Sequence, residues 1–127
     1  MRQAILDTSF ILTCIKQKID FFDEIKFMGI EILIPDIVIG EIKSLSEDTS
    51  KKKFHIKENA KIALKLLEKN SDSFKKINLA GKNADKSIIM FAKENPVAIV
   101  ATLDKELKSK IKNPKLVIRD KKWLEII

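Results

Sequence analysis

The sequence predicts a three-layer α/β/α domain built on a parallel sheet, and three observations carry that expectation. Short apolar runs alternate with helix-patterned segments along the chain, the order of crossover units rather than of hairpins. Aspartates follow two of those runs, at the carboxyl edge of the sheet where such folds place their ligands. The chain has 127 residues, room for one hydrophobic core and cramped for two.

Residues 3–7 contain Ala-Ile-Leu and read as a buried strand with Asp7 at its carboxyl end. The polar Asp-Thr-Ser that follows opens a helix over 10–16, and a second short helix over 20–28 is closed by Gly29. Residues 31–34 are an apolar strand stopped by Pro35, so the chain begins β-α-α-β. The helix over 35–46 starts with Pro-Asp, where proline's missing N–H costs nothing in a first turn. Residues 47–50 are a polar break. The longest helix covers 53–69, with Ile56, Ala60, Ala63 and Leu67 along one face and lysines on the other. Ser71 and Asp72 loosen the chain, and Gly81 with Asn83 marks a helix that runs to Glu94 and ends at Asn95-Pro96. A strand over 97–101, a short basic helix over 105–110 and a strand over 115–118 complete one domain, 1–127, without repeats or linkers.

Composition narrows the chemistry. Apolar residues make up 45% of the chain and charged residues 34%, enough of the first to fill a core and of the second to keep a cytoplasmic protein soluble. The run Ala4 to Leu6 is interrupted by Asp7, and no stretch approaches the roughly 18 apolar residues of a membrane span, so neither export nor insertion is expected. Cys14 is the only cysteine and His55 the only histidine, which excludes disulfide frameworks, Cys/His zinc sites and histidine triads. His55, beside three lysines, reads as a surface residue. Trp123 is expected against a sheet edge, and Phe21, Phe22 and Phe27 as core or dimer contacts.

The net charge of +7 is unevenly spread. Residues 1–50 carry five basic and nine acidic side chains, residues 51–82 ten lysines against three acids, and residues 105–122 eight basic side chains against two acids. An acidic part beside basic segments suits a protein that grips a phosphodiester backbone around an anionic site, while lysines that merely solvate helix faces are the plainer alternative.

Four acids stand out by position. Asp7 ends the first strand, and Asp104 follows the strand over 97–101 after Thr102-Leu103. Glu41 shares a helical stripe with Ile37, Val38 and Leu45, and Asp85 precedes Ile88, Ile89 and Ala92 at helical spacing, so both are expected to face inward. Each has a modest alternative: Asp7, Asp85 and Asp104 at helix starts, Glu41 paired with a lysine. If the four share a pocket, their repulsion drives protons onto them unless a cation compensates. Oxygen-only ligands suit hard ions, which points to Mg²⁺ or Mn²⁺ and to phosphodiester hydrolysis. An aspartate-nucleophile phosphatase of the haloacid-dehalogenase type is disfavoured because Ser9 stands where its second acid belongs. A receiver-type phosphoacceptor lacks its adjacent acidic pair.

The segments Ile-Leu-Asp7-Thr-Ser, Pro-Asp-Ile-Val-Ile-Gly-Glu41-Ile, Ala-Asp85-Lys-Ser-Ile and Val-Ala-Thr102-Leu-Asp104-Lys-Glu-Leu-Lys, in that order, resemble the PIN-domain family of metal-dependent ribonucleases over essentially the whole chain. The resemblance implies a five-stranded parallel sheet, Asp7, Glu41, Asp85 and Asp104 as metal-binding and catalytic acids, and Ser9 and Thr102 as supports for them. The last segment is more similar to the ribosomal-RNA-processing branch of archaea and eukaryotes than to toxins, although that branch often has aspartate where this chain has Glu106. The expected substrate is RNA, single-stranded or structured, contacted by Lys51, Lys52, Lys53, Lys82, Lys105 and Lys108. A homodimer, an antitoxin or a ribosome-assembly factor are the protein partners such a chain would have, with no membrane contact. The alternatives are a toxin ribonuclease of a toxin–antitoxin pair and a PIN-like RNA-binding module that does not cut.

Overall fold

In the computed structural model, which describes residues 1–50 and 54–127, the fold grows outward from β1 (Gln3–Leu6), three of whose four residues are buried. Asp7 caps α1 (Thr8–Lys16) by accepting a hydrogen bond from the Thr8 amide. Asp20 does the same for α2 (Phe21–Phe27) through the Asp23 amide, and α2 stops at Gly29, whose φ of 73° suits a left-handed terminator. β2 (Glu31–Pro35) leads into α3 (Asp36–Ser46), and α4 (Phe54–Lys69) follows the polar break. A 3-10 turn (Ser71–Ser73) precedes β3 (Lys75–Ile77). α5 (Ala84–Glu94), β4 (Ile99–Ala101), α6 (Lys105–Ser109), β5 (Lys115–Arg119) and β6 (Trp123–Ile126) complete the chain.

The sheet has six strands in the order β3-β2-β1-β4-β5-β6, one more than expected. β1 to β5 run parallel, and β6 pairs antiparallel with β5. β6 turns back through Asp120 and Lys121, both at positive φ (52° and 58°), a left-handed hairpin turn made without the glycine or asparagine that would have signalled it. β3 is a short edge strand whose two lysines carry no apolar alternation; charged edges of this kind resist pairing with other chains. Successive strands step outward from β1 in both directions, so right-handed crossovers put α1 to α4 on one face and α5 and α6 on the other.

The core is aliphatic, with an aromatic seam of Phe10, Phe21, Phe22 and Phe74 linked by ring contacts of 4.5–6.3 Å. Phe27 is not part of it and is 94% exposed. α4 buries Ala60, Ala63 and Leu67 as its spacing predicts, but Ile56 lies before the buried stretch begins and is exposed. His55 is exposed, and Trp123 lies in the edge strand β6 with 46% of its surface open. Among the described residues no helix is long and apolar enough to cross a membrane.

One buried polar side chain ties the α5 side of the sheet together. The Asn113 amide nitrogen donates to the carbonyls of Ala92, Asn95 and Ala98 at 2.9–3.0 Å, joining the end of α5 to the entry of β4. Asn113→Asp replaces that donor with an oxygen facing three acceptors. We expect it to lower stability by at least about 2 kcal/mol, read as a shift of the urea midpoint. Cys14 is fully buried, and burial, helped by the charge of Glu24, pushes its thiol up to about 12. In native protein at pH 8 it should stay unreactive toward a disulfide reagent such as DTNB, and react fully after denaturation.

Candidate functional site

Strand order reverses between β1 and β4, and the crevice beyond their carboxyl ends is where an α/β sheet opens. The Asp7 amide donates to the Ala101 carbonyl at 2.9 Å, extending the β1–β4 ladder and leaving Asp7 only 4% exposed. Its carboxylate is fixed by three donors: Oδ1 accepts from the Thr8 amide (2.8 Å), and Oδ2 accepts from Thr102 Oγ1 (2.7 Å) and Ser9 Oγ (3.3 Å). The same hydroxyls accept in turn, Ser9 Oγ from the Leu103 amide and Thr102 Oγ1 from the Asp104 amide, both at 3.1 Å. The start of α1 is thereby pinned to the end of β4.

Asp104 caps α6, its Oδ1 accepting from the amides of Glu106 (2.9 Å) and Leu107 (3.2 Å). Asp85 lies in the first turn of α5, which Asn83 caps through the Lys86 amide at 3.1 Å. Ser87 donates to the Ala80 carbonyl at 2.6 Å and fixes the preceding loop. Glu41 accepts from Thr8 Oγ1 at 2.6 Å, a bond between α3 and α1.

All four acids line one cavity of about 860 Å³, together with Thr8, Ser9, a face of α3 and a fifth acid, Asp48, which sequence spacing did not mark. Glu41 and Asp85 are exposed rather than turned into the core. The reason is a rotation of one position: α3 buries Val38, Ile42 and Ser46, and this leaves Ile37, Glu41 and Leu45 on the cavity wall. α5 likewise buries Ala84, Ser87, Ile88 and Ala92 around Asp85.

The electrostatics are those of an uncompensated cluster. Burial raises the Asp7 carboxyl above its ordinary value, against the hydrogen bonds from Thr102, Thr8 and Ser9, and the charge of Glu41 adds to the rise. Asp85 is raised by partial burial, by the charges of Asp7 and Asp104, by a hydrogen-bonding contact with Asp104, and by Glu106. The donor set, carboxylates and hydroxyls without nitrogen or sulfur, fits a hard divalent cation. Among the described residues no three acidic, His or Cys side chains are drawn close enough to hold an ion as they stand.

The lysines are placed less closely. Lys82 and Lys105 are exposed and Lys108 half-buried, and none of the three lines the cavity. Lys51, Lys52 and Lys53 lie outside the described residues. Lys86 and Lys110 border an adjoining recess of about 160 Å³ that shares Asp85 and Asp104. Lys110 pairs with Glu106 at 3.2 Å. Sequence spacing gave no reason to single out either lysine, nor Thr8, whose position beside Asp7 was the available clue.

Comparison with known proteins bears on the family and the fold. Residues 4–120 match the family described as PIN like domain. The chain is 33% identical over 129 residues to ribonuclease VapC4 of Methanocaldococcus jannaschii, covering 99% of this chain and 97% of that protein. Its fold is similar to that of the PIN domain endonuclease Utp24, with a TM-score of 0.77, 26% identity, and coverage of 98% of this chain and 90% of the other. PAE2754 from Pyrobaculum aerophilum shares the fold at a TM-score of 0.55 and 15% identity, over 87% of this chain and 81% of the other.

The raised Asp7 carboxyl sets a stability expectation for the metal-free protein. A carboxyl whose folded-state value exceeds its unfolded one holds its proton more tightly when folded. Stability therefore falls as pH rises from the ordinary carboxyl value of 3.8 through the raised one. Asp7→Asn removes that loss. In EDTA the variant should melt above the parent at pH 7 and show little gain at pH 4, and a parent that melts higher at pH 7 would overturn the charge account.

Proposed function

The chain belongs to the PIN like domain family, and from that membership we propose that it is a Mg²⁺- or Mn²⁺-dependent endoribonuclease hydrolysing RNA phosphodiesters. The observation that carries the reading is the convergence of Asp7, Glu41, Asp85 and Asp104, from four separate segments, on one cavity at the switch point of the sheet. The names of the two relatives, one a ribonuclease and the other an endonuclease, support it.

In this reading Asp7, Asp85 and Asp104 hold the cation, and Glu41 holds it or orients the attacking water. A divalent cation at such a site makes water a competent nucleophile at neutral pH and stabilises the leaving 3′ oxygen. The chain's own contribution is to fix where the carboxylates point. Thr102 and Ser9 hold Asp7 Oδ2, so rotation of that carboxylate away from the cavity costs two hydrogen bonds. Thr8 holds Glu41 Oε1, leaving Oε2 as the atom that takes the water proton or a ligand position. Two amides on Asp104 Oδ1 leave its Oδ2 for the cation. Lys82, Lys105 and Lys108 attract the strand from outside the cavity, and Lys51 to Lys53 are further candidates for phosphate contact by charge alone.

Two biological settings are compatible with the activity. One is a toxin ribonuclease restrained by an antitoxin, and the other is ribosomal-RNA processing, the setting to which the segment from Val100 to Lys108 is more similar. Growth arrest on expression, relieved by the product of a neighbouring gene, separates the first from the second.

Purified protein with Mn²⁺ or Mg²⁺ should cleave a mixed-sequence RNA, and EDTA should stop it. Asp7→Asn and Asp104→Asn should each slow cleavage about 100-fold or more, several kcal/mol of transition-state stabilisation. Cutting by Asp7→Asn at the parent rate would falsify the assignment. RNA binding unaffected by EDTA, with no cleavage, would instead identify a binding module. Thr8→Val should slow cleavage about tenfold by releasing Glu41, and Thr8→Ser should restore it, one order of rate being 1.4 kcal/mol.

A further inference from the structure

The β5–β6 hairpin rises from the same edge of the sheet as the acids, away from the cavity they line. Ala101 at the end of β4 is in register with Leu116 of β5, so Asp104 and Arg119 each lie three residues further along neighbouring strands. Adjacent strands are about 4.8 Å apart, which puts β6 roughly 10 Å from the strand that leads to Asp104. The five residues at the hairpin's end, Arg119 to Trp123, are all exposed. They close the second basic segment of the chain, and none of them lines the cavity.

Two of these residues are unexplained by the fold. The Lys122 amide donates to the Arg119 carbonyl at 2.9 Å and closes a turn with Asp120 and Lys121 between them, both left-handed. Glycine adopts that conformation without the clash a side chain brings, so lysine at position 121 weakens the turn while placing a cation at its tip. Trp123 is the other. Leu116, Ile118, Leu124 and Ile126 pack on the core, and strand alternation therefore turns Arg119, Trp123 and Glu125 to the opposite face. Nor does the indole serve to cover the sheet edge, because Glu24 of α2 already meets it by accepting from the Leu124 amide at 3.1 Å. Arg119, the register partner of Trp123, donates from Nε to Glu125 Oε2 at 2.9 Å and braces the strands on which the indole stands.

We propose that Trp123 stacks a nucleobase of the RNA strand after it leaves the cavity, with Lys121 and Lys122 on the neighbouring phosphates. The inference rests on the nuclease reading above and adds to it a second contact with the same substrate. An aromatic face set among cations is the composition that holds a nucleotide by stacking and backbone charge together. Asp120 is the one acid of the turn, and with Arg119 engaged by Glu125 the two lysines still outnumber it. Every base has a flat face to offer, so this contact lengthens the grip on the strand without selecting a sequence.

The chain has one tryptophan and no tyrosine, so its indole emission reports on Trp123 alone. The test titrates the full chain in Ca²⁺ with a mixed-sequence RNA oligonucleotide, unlabelled for emission and fluorescein-labelled for anisotropy. Cleavage is read in Mn²⁺. Binding should quench most of the indole emission. Trp123→Leu should weaken binding about tenfold, as expected for one stacked base, and raise KM by a similar factor. Trp123→Phe, which keeps a ring, should recover part of that loss. Lys121→Gly should melt at or above the parent, because it relieves the turn, yet bind less tightly and lower the slope of log K against log salt by about one. A merely structural lysine would leave that slope alone. RNA that binds without changing the indole emission, or a Lys121→Gly variant with the parent's affinity and slope, would overturn the proposal while leaving cleavage by the parent to support the nuclease reading. If RNA quenches Trp123 and the parent does not cut, the hairpin site stands and the nuclease reading falls.

Discussion

The structure turns on one buried charge, the carboxylate of Asp7, held at the point where the strand order reverses. A carboxylate that is 4% exposed is tolerable only if donors replace the water it has lost. Three do so, and they come from both sides of the switch point: Thr8 and Ser9 at the start of α1, Thr102 at the end of β4. The same bonds determine where Asp104 begins, because Thr102 Oγ1 also accepts from its amide. Yet the Asp7 carboxyl remains raised, so the donors offset its burial without cancelling it. The unbalanced remainder is free energy that a cation can recover on binding.

How much of this could be read from the sequence follows from what each feature asks of its residues. β1, β2, β4 and β5 were visible because buried parallel strands must be apolar along most of their length. β3 and β6 were not: one is an edge strand of Lys-Lys-Ile, the other turns on Asp120 and Lys121 in a conformation that glycine or asparagine usually announces. Asp7 and Asp104 were placed by their strands, which needs no knowledge of side-chain packing. The orientation of Glu41 and Asp85 does need it, since a helix rotated by one residue exchanges the core face for the cavity face, and Ile37 and Leu45 fit either. Asn113 and Thr8 escaped for a related reason. Their partners lie 15–21 residues away in one case and 33 in the other, and no local pattern marks them.

α3 shows how a single helix serves two demands. Val38, Ile42 and Ser46 bind it to the core, and the adjacent stripe of Ile37, Gly40, Glu41, Ser44 and Leu45 faces open space. Ile37 and Leu45 on that second stripe are half-buried and still pack against the core, while the glycine lowers the helix's own stability. One helix thus closes the core and builds a wall of the carboxylate-lined cavity at the same time.

The charge balance of the chain supports the same division. The protein is strongly basic overall, yet among the described residues no lysine or arginine lines the main cavity. An ammonium group there would pair with Asp7 and oppose the rise of its carboxyl. Lys86 and Lys110 stop at the adjoining recess, and Lys110 is already engaged by Glu106. Positive charge is thus kept outside the cavity, and in the proposed nuclease a divalent cation would be what lets phosphate approach its carboxylates.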